Sequence, residues 1–591
     1  MIAPTVTLHH SAHTQSDIDR DAMRVTARDA VLAVSALVGL IAALWPVLER
    51  ASGTCPYGYG SRATPALAAS ARVFTDCRIR TAHGDARADV VVSELGRVVA
   101  VEPRAARARA NAVSCARSWM RSGFVDAHVH VVSGGLALAD VVDLGGVRGR
   151  EGFADALAGG VGRRRDGWVL ARGWDETRWD DTDGPHGGWL DERFDGVKVW
   201  AMRTCGHAGF ASEAALRAGG LDGPARVLRE GEMAAVVRAI PRLSRTERDR
   251  AMRRGLEHLS AHGITAVGDF GDIESLLAGP SGYDALWEDF ETLERWDRAG
   301  ELPVRVTWYA PLGDYRRAAA HPAWNDGWTR EDAATGTSSR VRIGGVKAFL
   351  DGSLGGRTAA FFEPYADEPS TRGQLIYNGT DEDVLREQAI AADALGLQIA
   401  VHAIGDAAVE QALALAEAIE KANGRRAIRR FRIEHSQHLT FPMENQVKRY
   451  RDLGVVASVQ PAHITLDEPS VARRLGSDRA LRYSALRTFA NHSVPLAGGS
   501  DWPIVDVDVF DGVRAAVIRK REALSVDETL RMFTTGAAAA LRLDGLIGAL
   551  IPGAFADFVI LDRAPEDIVE GERPVVIATY VGGECVYGRC L

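Results

Sequence analysis

The chain has 591 residues, 46% of them apolar and 25% charged, and a net charge of −9 from 70 basic and 79 acidic side chains. That is too long for one small domain, so two or three units are expected. The acidic balance excludes a general nucleic-acid binder, which carries a basic excess. Residues 1–70 read as a tail, an anchor and a Gly/Ser/Ala-rich linker. Within them, residues 31–48 are 18 positions without a charge, the short end of what a membrane span needs. The stretch before this run is longer than the n-region of a cleaved signal peptide. An uncleaved apolar helix is therefore expected, holding the protein to a membrane of the secretory pathway or the cell surface. A cytoplasmic protein with a buried helix at 31–48 is the alternative. The sequons at Asn378 and Asn491 permit a luminal location.

From residue 71 the texture changes to short strands, at 72–77, 88–92 and 96–101. The same texture returns near the C-terminus, at 556–561 and 575–581. Runs rich in Val, Ile and Thr between turn residues read as strands. The expected arrangement joins the two chain ends, 71–121 and 541–591, in one small β-sandwich domain. The six cysteines form no close CxxC pair, which argues against a zinc knuckle. With the chain ends together, Cys77 is expected to pair with Cys585 or Cys590 if the compartment is oxidising.

Between them, residues 122–540 alternate strands with amphipathic helices, as in a (β/α)8 barrel of the TIM type. An insertion is expected around 137–240. It carries tryptophans 168, 174, 179, 189 and 200, and such inserts often cover a pocket. Trp174 and Trp502 are candidates to line that pocket, with ordinary packing as the alternative.

A parallel barrel collects its chemistry where its strands end. Six short segments place metal-capable or polar side chains there. His128 and His130 stand two apart after Gly123-Phe124-Val125-Asp126, so on an extended backbone both rings point the same way and can hold one ion. His402 and His435 are 33 residues apart, about one strand–helix repeat, and each closes an apolar strand. Asp501 follows Ala497-Gly498-Gly499-Ser500, where small residues let the backbone approach a centre closely. Its carboxylate can bind a metal or take a proton, or it can cap the next helix. Gln460-Pro461-Ala462-His463 is another of the six. Lys347 lies in the apolar run Val346-Lys347-Ala348-Phe349-Leu350. Burial lowers a lysine pKa and frees a neutral amine, which can add carbon dioxide to give an anionic carbamate. A pair with a carboxylate such as Asp351 is the alternative.

These segments resemble the amidohydrolase superfamily, in particular its YtcJ-like branch, which includes N-substituted formamide deformylases. Similar stretches run from about residue 71 to the C-terminus and include Trp174-Asp175, Cys205-Gly206-His207, the run 351–359 and Gly499-Ser500-Asp501-Trp502-Pro503. The resemblance implies one or two divalent metal ions, zinc first among them. His128, His130 and Asp501 would hold one ion, His402 and His435 the other, and Lys347 as a carbamate would bridge. It also implies hydrolysis of a non-peptide carbon–nitrogen bond in a small, N-substituted amide, with Asp501 as proton shuttle and His463 and His207 touching oxyanion or substrate. The chain departs from the pattern at Ser122, where relatives carry proline, and at Cys205, where they often carry aspartate. A deaminase is the competing reaction, and it would need an acid after the third-histidine strand, for which Asp406 is the candidate. A non-catalytic scaffold would have lost ligands, and none is lost here.

Overall fold

Eight buried parallel strands lie side by side in chain order. They are β1 Phe124–Val129, β2 Ile264–Asp269, β3 Arg305–Pro311, β4 Val341–Phe349, β5 Gln398–Ala403, β6 Arg432–His435, β7 Val456–Val459 and β8 Leu496–Gly498. Strands covered on both faces read as near-continuous apolar runs, because side chains pointing either way are buried. The ladder closes just past β8, where Val129 bridges Trp502. There the Asp501 amide donates to His128 O at 2.7 Å and the His130 amide to Trp502 O at 2.9 Å.

This is a computed structural model, and it describes residues 71–591 apart from 82–83, 104–111, 161–165, 181–183, 187–188, 191–193, 325–338, 427–428, 570 and 591. All described residues belong to one unit. The expected apolar anchor at 31–48 lies outside the described residues. Among the described residues, no helix is long and apolar enough to cross a membrane.

The two chain ends do meet. Strands between Arg72 and Ser122 pair with Phe558–Leu561, Val576–Val581 and Glu584–Gly588 in one eight-stranded sheet. A sandwich has two sheets; here one sheet curls over its own core. Phe74 and Tyr580 sit on strands three steps apart, roughly 14 Å in a flat sheet, yet their ring centroids are 5.2 Å apart. Inside the sheet the Arg305 guanidinium grips Asp557 at 2.7 and 3.1 Å, tying β3 to the small domain.

The expected cysteine pairing is corrected. Cys77 bonds Cys115, and Cys585 bonds Cys590. The strand Ala112–Ser114 runs beside Arg72–Thr81, with Thr75 opposite Ser114, so Cys115 arrives next to Cys77. Cys585 lies on the edge strand Glu584–Gly588, with three strands between it and Cys77.

The insertion builds a five-stranded sheet of its own, from Val142–Asp143 to Arg226–Arg229. Its five tryptophans fill two apolar cores: Trp174, Trp179 and Trp189 in one, Trp168 and Trp200 in the other. Packing, not pocket lining, is their role. The Trp174 indole N–H is spent on Ala201 O at 2.8 Å.

Candidate metal centre

Close backbone approach assembles the centre first. A Cβ on Gly499 would lie 2.8 Å from His128 N, so only glycine lets β8 come this near β1. The Asp126 carboxylate then locks the two strand ends, accepting the His128 amide at 3.0 Å and the Ser500 amide at 3.0 and 3.1 Å. Asp501 and His435 adopt positive φ, 60° and 74°, uncommon for residues with a Cβ and costly unless the surroundings impose it. At His435 this breaks the strand alternation, so neighbours Glu434 and His435 both serve the centre.

Asp501 Oδ1 lies 3.4 Å from His128 Nε2 and 3.3 Å from His130 Nε2. Donor atoms of His128, His130 and Asp501 gather within 4.8 Å of one another, and so do those of His435, His463 and Asp501. Their outer nitrogens are tied down. His128 Nδ1 is 2.7 Å from Glu434 Oε2, His130 Nδ1 is 2.7 Å from Gly271 O, and His435 Nδ1 is 2.8 Å from Gln460 Oε1. Metal-ligating histidines commonly have the second nitrogen fixed this way.

Burial holds His128 and His435 far below the usual histidine pKa, with Lys347 and the neighbouring rings adding to it. They stay neutral, the form that ligates. Burial acts against the Asp501 carboxylate, but His128, His130 and His463 outweigh it and hold the pKa below the usual range. His463 Nε2 is buried with no hydrogen-bond partner among the described residues. Buried polar atoms are rarely left so. Neutral imidazoles, an ionised carboxylate and this orphaned nitrogen fit a divalent cation.

The second expected pair comes out differently. His402 is outside both donor sets: its Nε2 is 3.0 Å from Gly352 O and 3.5 Å from Asp351 Oδ1. Its ring stays 4.4 Å from that of His435. His463, read from sequence as an oxyanion or substrate contact, shares a donor set with His435 and Asp501.

Lys347 points into the centre, with Nζ 3.5 Å from His128 Nε2 and over the rings of Phe270 and Phe349 at 4.3 and 4.7 Å. Burial pulls its pKa down to about 8, against the attraction of Glu434 and Asp501. It does not pair with Asp351, the alternative raised by the sequence. Asp351 accepts the amides of Ala360, Ile404 and Gly405 at 2.9, 3.0 and 2.8 Å. Removing that acceptor would strand three donors, each costing about 1–3 kcal/mol. Asp351→Ala should therefore lose about 3 kcal/mol or more of stability in urea unfolding; an unchanged midpoint would refute this role.

A narrow cleft of about 40 Å³ opens onto the donors. Its outer wall comes from the insertion and is polar: Asp175, Arg203, Cys205 and His207. No tryptophan lines it among the described residues; Trp502 is buried and stacks on His258 at 5.1 Å. Cys205 is a free thiol on this wall. His207 Nδ1 is 3.2 Å from Glu230 Oε2. Burial disfavours its charge, but Glu230 raises the pKa to about 9, so at neutral pH the ring is a cation facing the cleft.

A family model described as the amidohydrolase family matches residues 120–587. The chain belongs to the amidohydrolase family. Protein LONG AFTER FAR-RED 3 of Arabidopsis thaliana is 34% identical over 497 residues, 79% of this chain and 82% of that one. Putative amidohydrolase YtcJ of Bacillus subtilis (strain 168) is 28% identical over 502 residues, 80% of this chain and 89% of that one. An uncharacterized metal-dependent hydrolase from Pyrococcus horikoshii OT3, a solved structure, aligns with a TM-score of 0.67 at 26% identity over 85% of this chain and 100% of its own.

Glu434 and Arg432 are among the members of this amidohydrolase's centre to which the sequence reading gave no role. Arg432 Nε and Nη2 hold Glu434 at 2.7 and 3.1 Å, and its other donors reach Tyr309 Oη at 3.0 Å and Ala127 O at 2.8 Å. The i, i+2 rule that pairs His128 with His130 also pairs Arg432 with Glu434. Outer partners of metal-binding histidines are worth about 10–100-fold in affinity. Glu434→Ala should weaken metal retention by that factor in competition with a chelator; wild-type retention would show that the His128 ring is held by other means.

Proposed function

We propose that this amidohydrolase cleaves a non-peptide carbon–nitrogen bond in a small, N-substituted amide with a short acyl group. The observation that carries the reading is the position of Asp501. One carboxylate belongs to both donor sets and borders the cleft. His128, His130 and Asp501 would hold one cation, and His435, with His463 or His402, a second. Zinc suits the imidazole and carboxylate donors. A bound divalent cation lowers the pKa of water and polarises a carbonyl.

The chain's own groups supply the rest. Asp501 accepts the proton lost by the attacking water at Oδ and returns it to the departing nitrogen, as base and then acid. Protonated His207 faces the cleft and stabilises the carbonyl oxygen as it gains charge. Lys347, as a carbamate, would supply an anion beside His128. A short acyl group, such as formyl, would sit over the donors with the nitrogen substituent directed outward along the cleft. The wall of Asp175, Arg203 and His207 favours a polar substituent.

The deaminase reading loses its acid. Asp406 Oδ1 accepts the Phe362 amide at 3.0 Å, and the residue lies outside the donor sets and the cleft lining. Two measurements test the proposal together. Elemental analysis should find one to two divalent metals per chain, and purified enzyme should hydrolyse members of a panel of N-formyl, N-acetyl and cyclic amides. Absence of metal in protein kept from chelators removes the centre. Activity confined to esters or phosphates removes the bond assignment.

A further inference from the structure

Outside the centre, one other His/His/Asp group appears among the described residues. His258 and His262 stand four apart at the end of the helix Arg245–Ala261, and Asp506 faces them from the segment after Trp502. Residues at i and i+4 of a helix share one face. The two rings are 4.4 Å apart between centroids, and the donor atoms of all three residues lie within 4.8 Å of one another.

Each donor is already oriented. His258 Nε2 lies 2.9 Å from Asp506 Oδ1. Two ligands of a tetrahedral ion with bonds of about 2.0–2.1 Å stand about 3.3 Å apart, so a cation entering between them would move them by only a few tenths of an ångström. His262 Nδ1 donates to His258 O at 2.8 Å. This leaves His262 Nε2 as the free lone pair and fixes the ring as ligating histidines are fixed. The His258 ring is also clamped against Trp502 at 5.1 Å and 18°. An ion pair between His258 and Asp506 would have no need of His262. The ring of His262, held beside that pair, is what points to a third ligand.

We propose that His258, His262 and Asp506 form a second, solvent-accessible site for a borderline divalent cation such as zinc. Asp506 is 59% exposed and His258 21%, so water completes the coordination and the ion exchanges with solvent. Calcium and magnesium, which take oxygen ligands, are poor occupants. The site has a structural consequence. Trp502 follows Asp501 and accepts the His130 amide at 2.9 Å. A cation here therefore staples the helix Arg245–Ala261 to the loop that carries Asp501.

The test uses full-length protein already loaded at its main centre. Zinc chloride is titrated calorimetrically into wild type, His262→Asn and Asp506→Asn. Wild type should take up one more zinc than either variant, and its thermal midpoint should rise with zinc while theirs stay fixed. Removing one ligand should weaken this event by at least about tenfold. Equal uptake by all three proteins overturns the proposal. A His128→Ala, His130→Ala variant separates the two centres. The extra event should persist there; if it vanishes there and survives in His262→Asn, it belongs to the main centre and the second site is refuted.

Discussion

Replacing Asp501 by asparagine should abolish turnover and leave the fold standing. Proton transfer by a placed side chain contributes about 10²–10⁴-fold, and an amide cannot accept the proton that the carboxylate takes. The loss should fall on kcat, with a much smaller effect on KM, because the interaction is made as the bond breaks. The fold survives for a local reason. Asp501 sits at φ 60°, and asparagine is among the few residues that enter this region readily. The amide at 501 still donates to His128 O, because that bond is made by the backbone. Asp501→Asn should therefore match wild type in urea unfolding to within about 1 kcal/mol. Wild-type turnover by this variant would rule out Asp501 as the shuttle. A collapsed urea midpoint would show that its carboxylate holds the strand ends together.

The barrel was legible because its strands are buried on both faces, which writes each as an apolar run ending in one conspicuous polar residue. His128, His130, Lys347 and Asp501 could be read on that basis, and all four converge. The side-chain directions of His402 and His463 were not legible. The first is decided by a carbonyl at Gly352, 50 residues away in the chain. The second starts the helix His463–Leu475, where no strand alternation indicates which way a ring points. The meeting of the chain ends was readable from their shared strand texture. The disulfides were not, since pairing follows the order of strands across the sheet, and that order is not the chain order. The tryptophans show the limit of composition. A cluster of large aromatics signals burial, and only the insertion's own sheet shows that they are buried against one another.

Lys347→Ala should lower turnover by about 10²-fold or more, the scale of losing one charge-stabilising group from a dry site, and should reduce metal retention. The amine is buried beside His128 and over two phenyl rings, so alanine leaves space next to that donor. Short carboxylic acids should partly restore activity and metal by placing an anion in that space. Wild-type protein offers a test by pH. Carbamate forms when the neutral amine attacks carbon dioxide; a nitrogen–carbon bond is made and one proton is released. Only the unprotonated amine reacts, and burial brings its pKa down to about 8. The neutral fraction therefore rises with pH through this value, and is roughly 25-fold greater at about pH 8.5 than at about pH 6.5. Enzyme stripped of metal and carbon dioxide in acid should regain activity faster at the higher pH when dissolved carbon dioxide is held constant. The dependence should disappear in Lys347→Ala rescued by a carboxylic acid, because that anion needs no amine. Recovery at the same rate across this range, or full activity in Lys347→Ala, would leave Lys347 as a buried packing residue and the centre without that anion.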